Sequence, residues 1–265
     1  MQHLFGAVGR KTLKAVDSLR GLLGLLSDTL YWAVVSPFKG QRIRWRSTVE
    51  QMRIMGFDSL PIDMLIAVFI GIIMAVQSGY YLRKLGASTL IADSVAISLM
   101  RELGPLMTAI IVTGRSGSAI AAELGTMAVS EEIDALRVMG LNPVHFLVVP
   151  RFLAMVVMLP CLTAFAIMTG LLGGMVVTVA AFEVGTTAYL AHTRDALELR
   201  DILICLLKSA VFGAIIAKIG SYQGLRVSGG AAAVGHSTTA AVVASIVLII
   251  AADVVFASLF YSGGA

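Results

Sequence analysis

Long apolar stretches constrain the fold of this 265-residue chain more than any other feature. Several reach the roughly 20 residues that a helix needs to cross a hydrocarbon core about 30 Å thick. The sequence is 58% hydrophobic and 14% charged, whereas soluble domains average about 45–50% apolar and about 25% charged residues. Stretches such as 62–76 and 242–252 lack the alternation of a membrane β-barrel. The sequence therefore predicts an all-α polytopic membrane protein.

The apolar stretches and the polar breaks between them predict five transmembrane helices, which form one domain over 57–265. Their expected bounds are about 60–82, 91–123, 146–181, 202–222 and 238–261. Asp63 falls in the opening turn of the first span, where the helix dipole favours a carboxylate. Gly104 and Pro105 interrupt the long second span and predict a kink there.

Residues 1–56 form a separate basic and amphipathic segment. Apolar residues recur at helical spacing from Val16 to Leu30, with charged residues between them. We interpret this segment as a helix that lies in the membrane interface. The alternative is a further transmembrane helix over about 15–38, which Asp17, Arg20 and Asp28 disfavour because each raises the cost of insertion.

The distribution of lysine and arginine predicts the orientation in the membrane. One side carries the basic segment before span 1 and the connections between spans 2 and 3 and between spans 4 and 5. The opposite side holds only Arg83, Lys84, Arg194 and Arg200. Because cytoplasmic loops are enriched in these residues, we expect a cytoplasmic N-terminus and a C-terminus on the far side.

Ionisable residues inside the spans are the first candidates for function, because each costs about 2.5–3.5 kcal/mol at a helix centre on insertion scales. Arg101 and Glu102 are adjacent, so their side chains point about 100° apart on a helix and need different partners. Lys208 in span 4 and Asp253 in span 5 are candidates. Two interpretations stay open: the charges lock helices together, or they form a polar patch that lines a substrate path.

Small residues follow this charged pair within span 2. Gly117, Ala121 and Gly125 recur every four residues and therefore share one helix face. This spacing is typical of close packing between membrane helices.

A short polar helix is predicted over 130–139, directly after span 2. Glu131, Glu132 and Asp134 fall in its first turns and Arg137 in its last, in accord with the helix dipole, and Ser130 is a candidate cap. The segment is too polar to enter lipid. It is either a solvated loop helix or a docking helix for a cytoplasmic partner.

The catalytic and metal-binding motifs that we considered are absent from the sequence. There is no P-loop, no HExxH, no GxSxG and no Cys/His metal spacing. We therefore expect no catalytic residue, no metal site and no cofactor bound by this chain.

Four sequence motifs resemble those of the MlaE family, the permease subunits of ABC systems that transport lipid with mammalian-cell-entry (MCE) proteins. The motifs are RELGP at 101–105, GRSGSAIAAELGTM at 114–127, EEIDALRVMGLNP at 131–143 and VVPR at 148–151. The resemblance covers about residues 15–262. It implies an N-terminal interfacial helix, five spans and a cytoplasmic coupling helix between spans 2 and 3.

The resemblance also implies roles for individual residues. Arg101, Glu102, Lys208 and Asp253 match the charged residues near the family's lipid cavity, and with Gln77 we expect them to contact a lipid headgroup. The residues expected to couple to the ATPase are Glu131, Glu132, Asp134 and Arg137. Those expected to kink or pack span 2 are Gly104, Pro105, Gly117 and Gly125.

The partners implied by the resemblance form a complex in a bacterial inner membrane. They are a second copy of the permease, two cytoplasmic ABC ATPase subunits that bind ATP and Mg²⁺, and a periplasmic ring of MCE-domain proteins. A STAS-domain accessory subunit is a further candidate, and no nucleic acid is expected. The implied cargo is phospholipid, moved between inner and outer membranes to maintain the lipid asymmetry of the outer membrane.

Two other functions remain open from the residues alone. The chain could be a self-contained secondary transporter or channel in which the four intramembrane charges relay ions. It could also be a structural scaffold in which these charges only clamp helices together.

Overall fold

The structure is a computed structural model. It describes residues 44–260 and, before them, Arg20, Gly21, Gly24, Leu25, 27–29, Tyr31 and Trp32. Helices account for most of this part of the chain, which contains no strand. We number its α-helices α1 (Trp45–Met55), α2 (Leu60–Lys84), α3 (Leu90–Ser98), α4 (Gly104–Val112), α5 (Ser118–Val129), α6 (Glu132–Val138), α7 (Val149–Phe182), α8 (Thr186–Ala196), α9 (Leu199–Leu225) and α10 (Ala231–Phe260).

Five helical segments in the described residues are long and apolar enough to cross a membrane. They run over Trp45–Lys84, Leu90–Val129, Val144–Phe182, Leu199–Leu225 and Ala231–Phe260. Each contains one of the five predicted spans almost completely and extends beyond it, because polar residues can continue a helix past the apolar core. The predicted all-α polytopic fold is confirmed, and the chain is a multi-pass membrane protein.

The second span is broken differently from the prediction. We expected one kink at Gly104 and Pro105, but two π-helical turns interrupt the span, Leu99–Leu103 before α4 and Thr113–Gly117 before α5. In the first turn, the Gly104 amide donates to the Leu99 carbonyl, five residues back. Pro105 stands in the first turn of α4, where its missing N–H is tolerated. The π-helical turn Leu99–Leu103 therefore lies before Pro105 and does not contain it.

Close backbone contact joins α2 to α7 at the centre of the bundle. A Cβ atom at Gly71 would overlap the carbonyl oxygen of Gly170, and one at Gly174 would lie 3.3 Å from the Gly71 carbonyl oxygen. Gly170 and Gly174, four residues apart on α7, thus form a small-residue packing surface. The main apolar core lies between α4, α5, α7 and α9, with Phe152 and Phe212 among its buried side chains.

The predicted interfacial segment lies mostly outside the described residues. Those described between Arg20 and Trp32 are helical. These residues contact the bundle at more than one point. The Lys218 ammonium on α9 donates to the Leu25 carbonyl and to Thr29 Oγ1, each at 2.5 Å, and the Trp32 ring lies 4.9 Å from the His145 ring, centroid to centroid. The domain boundary at 56–57 and the position of this segment in the membrane interface stay predictions.

Candidate functional site

A cluster of charged side chains surrounds Lys208, which is fully buried on α9. Its ammonium lies 2.7 Å from Glu102 Oε2 in the first π-helical turn and 2.6 Å from Asp253 Oδ1 on α10. It also donates to the carbonyl oxygen of Arg101 at 3.0 Å. An ammonium has three N–H donors, and here three oxygens from two other helical segments surround it. The candidate partners Lys208 and Asp253 therefore both meet the Arg101–Glu102 turn.

The residue four positions after Arg101 bears on why the Arg101 carbonyl accepts from Lys208. In a regular helix the amide of residue 105 would donate to this carbonyl, but Pro105 has no N–H. The break in span 2 thus supplies a backbone acceptor for a buried cation. This links the predicted kink residue to the charge cluster.

The Arg101 side chain turns away from Lys208 and meets Asp201, a partner that the sequence analysis missed. Arg101 Nε lies 2.9 Å from Asp201 Oδ1, and Nη2 donates to Oδ2 at 3.1 Å. Nη2 forms the hydrogen bond of this pair, and a hydrogen bond between two charged groups is stronger than one between neutral groups. Asp201 stands one residue before the predicted start of span 4, but it lies in the first turn of α9. Asp201 precedes Lys208 by seven residues, so both side chains lie on one helix face. This spacing could have identified Asp201 from the sequence.

The cluster contains two cations and three carboxylates, and it is buried on one side only. The Lys208 side chain is 0% exposed and that of Asp201 4%, whereas Arg101 and Glu102 are 36% and 39% exposed. The exposed members can therefore reach a bound molecule while the buried members hold them in position. Gln77 lies exposed on α2, and no described hydrogen bond joins it to this cluster.

Helix α8 leads into the first turn of α9 and so helps to position Asp201. The hydroxyl of the buried Tyr189 donates to the Leu171 carbonyl on α7 at 3.1 Å, and burial raises the pKa of Tyr189 to about 12. His192 Nδ1 lies 3.2 Å from Asp93 Oδ1 on α3. These two contacts fix α8 against the end of the bundle nearest the charge cluster.

The predicted polar helix is present at the opposite end of the bundle, but it is shorter than expected. It runs over Glu132–Val138, and Ser130 does not cap it, because its hydroxyl donates to the Thr126 carbonyl and to Glu132 Oε1. Glu131 instead occupies the N-cap position with a left-handed φ of 60°. The chain turns sharply after α5, and only Gly or Asn adopts this conformation without strain.

One face of α6 is anchored and the rest is exposed. Ile133 and Leu136 are buried in the main core, whereas Glu132, Asp134 and Arg137 are exposed. Arg137 pairs with Asp134 within the helix at 2.8 Å. Val138, at its end, is 89% exposed, so α6 presents charged and apolar groups together on a rigidly docked helix.

An ion pair between a buried arginine and an exposed glutamate fixes the base of α6. Arg151, in the first turn of α7, donates to Glu123 Oε2 on α5 at 2.8 Å and to the Leu147 carbonyl at 2.9 Å. Because α6 connects these two helices, the pair holds both of its ends at a set distance.

The small residues of span 2 face their neighbours closely. A Cβ atom at Gly104 would lie 2.6 Å from the Ile167 side chain, and one at Gly117 would lie 3.0 Å from Ile216. At Gly125 it would lie 3.0 Å from Val227. Larger side chains at these positions would therefore push α7, α9 or the α9–α10 connection away from span 2.

No group of three or more His, Cys, Asp or Glu side chains in the described part of the chain could hold a metal ion.

The fold and the site together define a helical multi-pass membrane protein with a charge cluster between its spans and a docked polar helix at one end. Residues 48–259 match the family described as Permease MlaE, and the chain belongs to that family. The resemblance seen in the four sequence motifs is thereby confirmed.

Relatives named as permeases match most of the chain. A probable ABC transporter permease protein of Synechocystis is 41% identical over 222 residues, 84% of each chain. One of Rickettsia prowazekii is 36% identical over 254 residues, 96% of each chain. The chloroplastic protein TRIGALACTOSYLDIACYLGLYCEROL 1 of Arabidopsis thaliana is 40% identical over 222 residues, which are 84% of this chain and 63% of that protein.

Proposed function

We propose that this chain is the non-catalytic transmembrane permease subunit of an ABC transporter that moves phospholipid. The observation that carries the proposal is the family match over 48–259, which includes both the charge cluster and α6. Relatives named as probable ABC transporter permeases support the transporter class. The Arabidopsis relative, whose name contains that of a glycerolipid, supports a lipid cargo.

In this proposal α6 is the coupling helix. It combines buried apolar anchors with an exposed surface of both charges and an apolar side chain, as expected of a protein contact. A cytoplasmic ABC ATPase would bind this surface through Glu131, Glu132, Asp134 and Arg137. ATP and Mg²⁺ would bind to the ATPase and not to this chain. Closure of the ATPase subunits would move α6, and α5 and α7 would pass that movement to the spans.

The charge cluster is the proposed headgroup contact. A guanidinium suits a phosphate because it offers paired N–H donors, and Arg101 is exposed enough to share its donors between Asp201 and a ligand. Glu102 can accept from an ammonium headgroup in the same way. Gln77 would contact the lipid from α2. The exposed apolar faces of α2 and α10 would border the acyl chains.

The proposed setting is a complex in a bacterial inner membrane. Two copies of this chain would form a homodimer with α6 in the cytoplasm and α8 in the periplasm. A ring of MCE-domain proteins would bind on the α8 side, with a STAS-domain subunit as a further candidate on the ATPase. The N-terminus would be cytoplasmic and the C-terminus periplasmic. The complex would move phospholipid between inner and outer membranes and so maintain outer-membrane lipid asymmetry.

The coupling role is tested by co-purification with the ATPase after charge reversal on α6. We expect the double variant Glu132→Lys and Asp134→Lys to lose the ATPase. Reversal of Glu198, exposed at the opposite end of the bundle, is the matched control and should retain it. The proposed role of α6 is wrong if both variants retain the ATPase equally.

The headgroup role is tested by mass spectrometry of phospholipid that purifies with the complex. We expect Glu102→Ala to lower the amount of bound phospholipid, because it removes an exposed member of the cluster. Glu123→Ala is a suitable comparison, since it also breaks an ion pair but lies near α6. Equal bound phospholipid in the wild type and Glu102→Ala would remove the cluster from the lipid path.

A further inference from the structure

Asp63 in the first turn of α2 lies in a different environment from the one that the sequence predicts. We expected a carboxylate that interacts with the helix dipole. The structure instead buries Asp63, which is 1% exposed and faces α4. It therefore belongs to the interior of the bundle and is not a member of the charge cluster.

The Asp63 carboxyl has only part of the hydrogen bonding that a buried group requires. Thr108 Oγ1 on α4 donates to Oδ2 at 3.4 Å. Oδ1 is buried and accepts no hydrogen bond from any residue that the structure describes. No described Lys, Arg or His side chain forms an ion pair with Asp63. Buried polar groups are nearly always hydrogen-bonded to protein or to ordered water.

A small cavity lies directly beside this carboxyl. Its volume is about 10 Å³, and Asp63 and Thr108 line it together with apolar residues that include Ala67, Leu103 and Met107. A cavity needs roughly 10–15 Å³ of such volume to hold one water molecule. This volume is therefore about that of one water molecule.

We propose that this cavity is a binding site for a single water molecule that joins Asp63 to Thr108. The water would donate one hydrogen to Asp63 Oδ1 and the other to Thr108 Oγ1. The Thr108 hydroxyl has lone pairs left to accept it, because its own hydrogen goes to Asp63 Oδ2. A buried water needs two to four polar partners, and this site offers two.

The side chains that line the site fit water better than a metal ion. Among the described residues, only three side-chain oxygens line the cavity, from Asp63 and Thr108, whereas a hard cation takes about six oxygen ligands. Leu99, Leu103 and Gly104 also line it, so the site lies against the π-helical turn that carries the charge cluster. The water would bridge α2 and α4 next to that turn.

The test is a high-resolution structure of the full chain in a lipid nanodisc, with the variants Asp63→Asn and Asp63→Leu. In the wild type we expect one density peak within about 2.6–3.2 Å of both Asp63 Oδ1 and Thr108 Oγ1. The peak should persist in Asp63→Asn and disappear in Asp63→Leu, whose side chain offers the water no hydrogen-bond acceptor and leaves Thr108 as its one side-chain partner among the lining residues. A wild-type map that resolves other buried waters but not this one overturns the proposal, as does a peak with about six oxygen ligands.

Hydroxyl-radical footprinting gives a second, independent measurement. Radicals formed from a bound water react with the nearest side chains, and Met107 lines the cavity. We expect Asp63→Leu to slow Met107 oxidation several-fold and to leave the oxidation of Met155, buried elsewhere in the core, unchanged. Equal Met107 oxidation in the wild type and Asp63→Leu would contradict a water site at Asp63.

Discussion

Removal of Lys208 would leave two carboxylates without their shared cation. In Lys208→Met, Glu102 and Asp253 lose the ammonium that lies 2.7 Å and 2.6 Å from them. Breaking a buried pair costs about 3–5 kcal/mol. We expect the lower value, about 3 kcal/mol, because Glu102 is partly exposed and water can screen it. At about 2–4 °C per kcal/mol for a chain of this size, the melting temperature should fall by about 6–12 °C.

A matched control lies ten residues further along the same helix. Lys218 is also buried, but its ammonium donates to two neutral oxygens. Lys218→Met therefore leaves no buried carboxylate unpaired, since the nearby Asp28 is exposed, and we expect a loss of only about 1–2 kcal/mol for its hydrogen bonds. Thermal unfolding of the purified permease in one detergent compares the two variants directly.

A third variant separates charge from packing. The triple substitution Lys208→Met, Glu102→Gln and Asp253→Asn removes the cation and both acids, so it should recover part of the stability that Lys208→Met loses. The reasoning is refuted if Lys208→Met unfolds no earlier than Lys218→Met. It is also refuted if the triple variant is less stable than Lys208→Met alone.

Three further predictions concern other parts of the bundle. Asp201→Asn should lower stability by about 1–3 kcal/mol, because it weakens a charged hydrogen-bonded pair with the partly exposed Arg101; thermal unfolding measures this. Glu131→Gly should raise stability by about 1 kcal/mol by relieving its left-handed conformation, whereas Glu131→Ala should give no such gain in the same assay. Gly71→Ala should abolish the folded monodisperse species in size-exclusion chromatography, because its Cβ would overlap α7 backbone; Gly185→Ala, with no atom within 4 Å of its Cβ, should not.

The spans were predictable because their signal is local. A run of apolar residues long enough to cross the bilayer requires a helix wherever it stands in the chain. The π-helical turns were not predictable in this way, since they depend on how span 2 packs against α7 and α9. The sequence showed Pro105 but not the shift in hydrogen bonding that places the irregular turn before it.

The charge cluster was predictable in part. Arg101, Glu102, Lys208 and Asp253 stand out because a charge in an apolar stretch is costly. Asp201 did not stand out, because it follows a polar loop and its burial depends on where α9 begins. Asp63 was recognised, but its position near a helix start suggested a dipole contact. Only the tertiary fold brings α4 and Thr108 beside it.

The central claim is that this permease moves phospholipid only when a separate ATPase hydrolyses ATP. The most direct measurement is transfer of labelled phospholipid out of proteoliposomes that contain the purified permease, with and without its ATPase and ATP. We expect transfer only when the permease, the ATPase and ATP are all present, and loss of transfer in the Glu132→Lys and Asp134→Lys double variant. Transport by the permease alone, driven by an ion gradient and insensitive to ATP, would contradict the account and favour a secondary transporter.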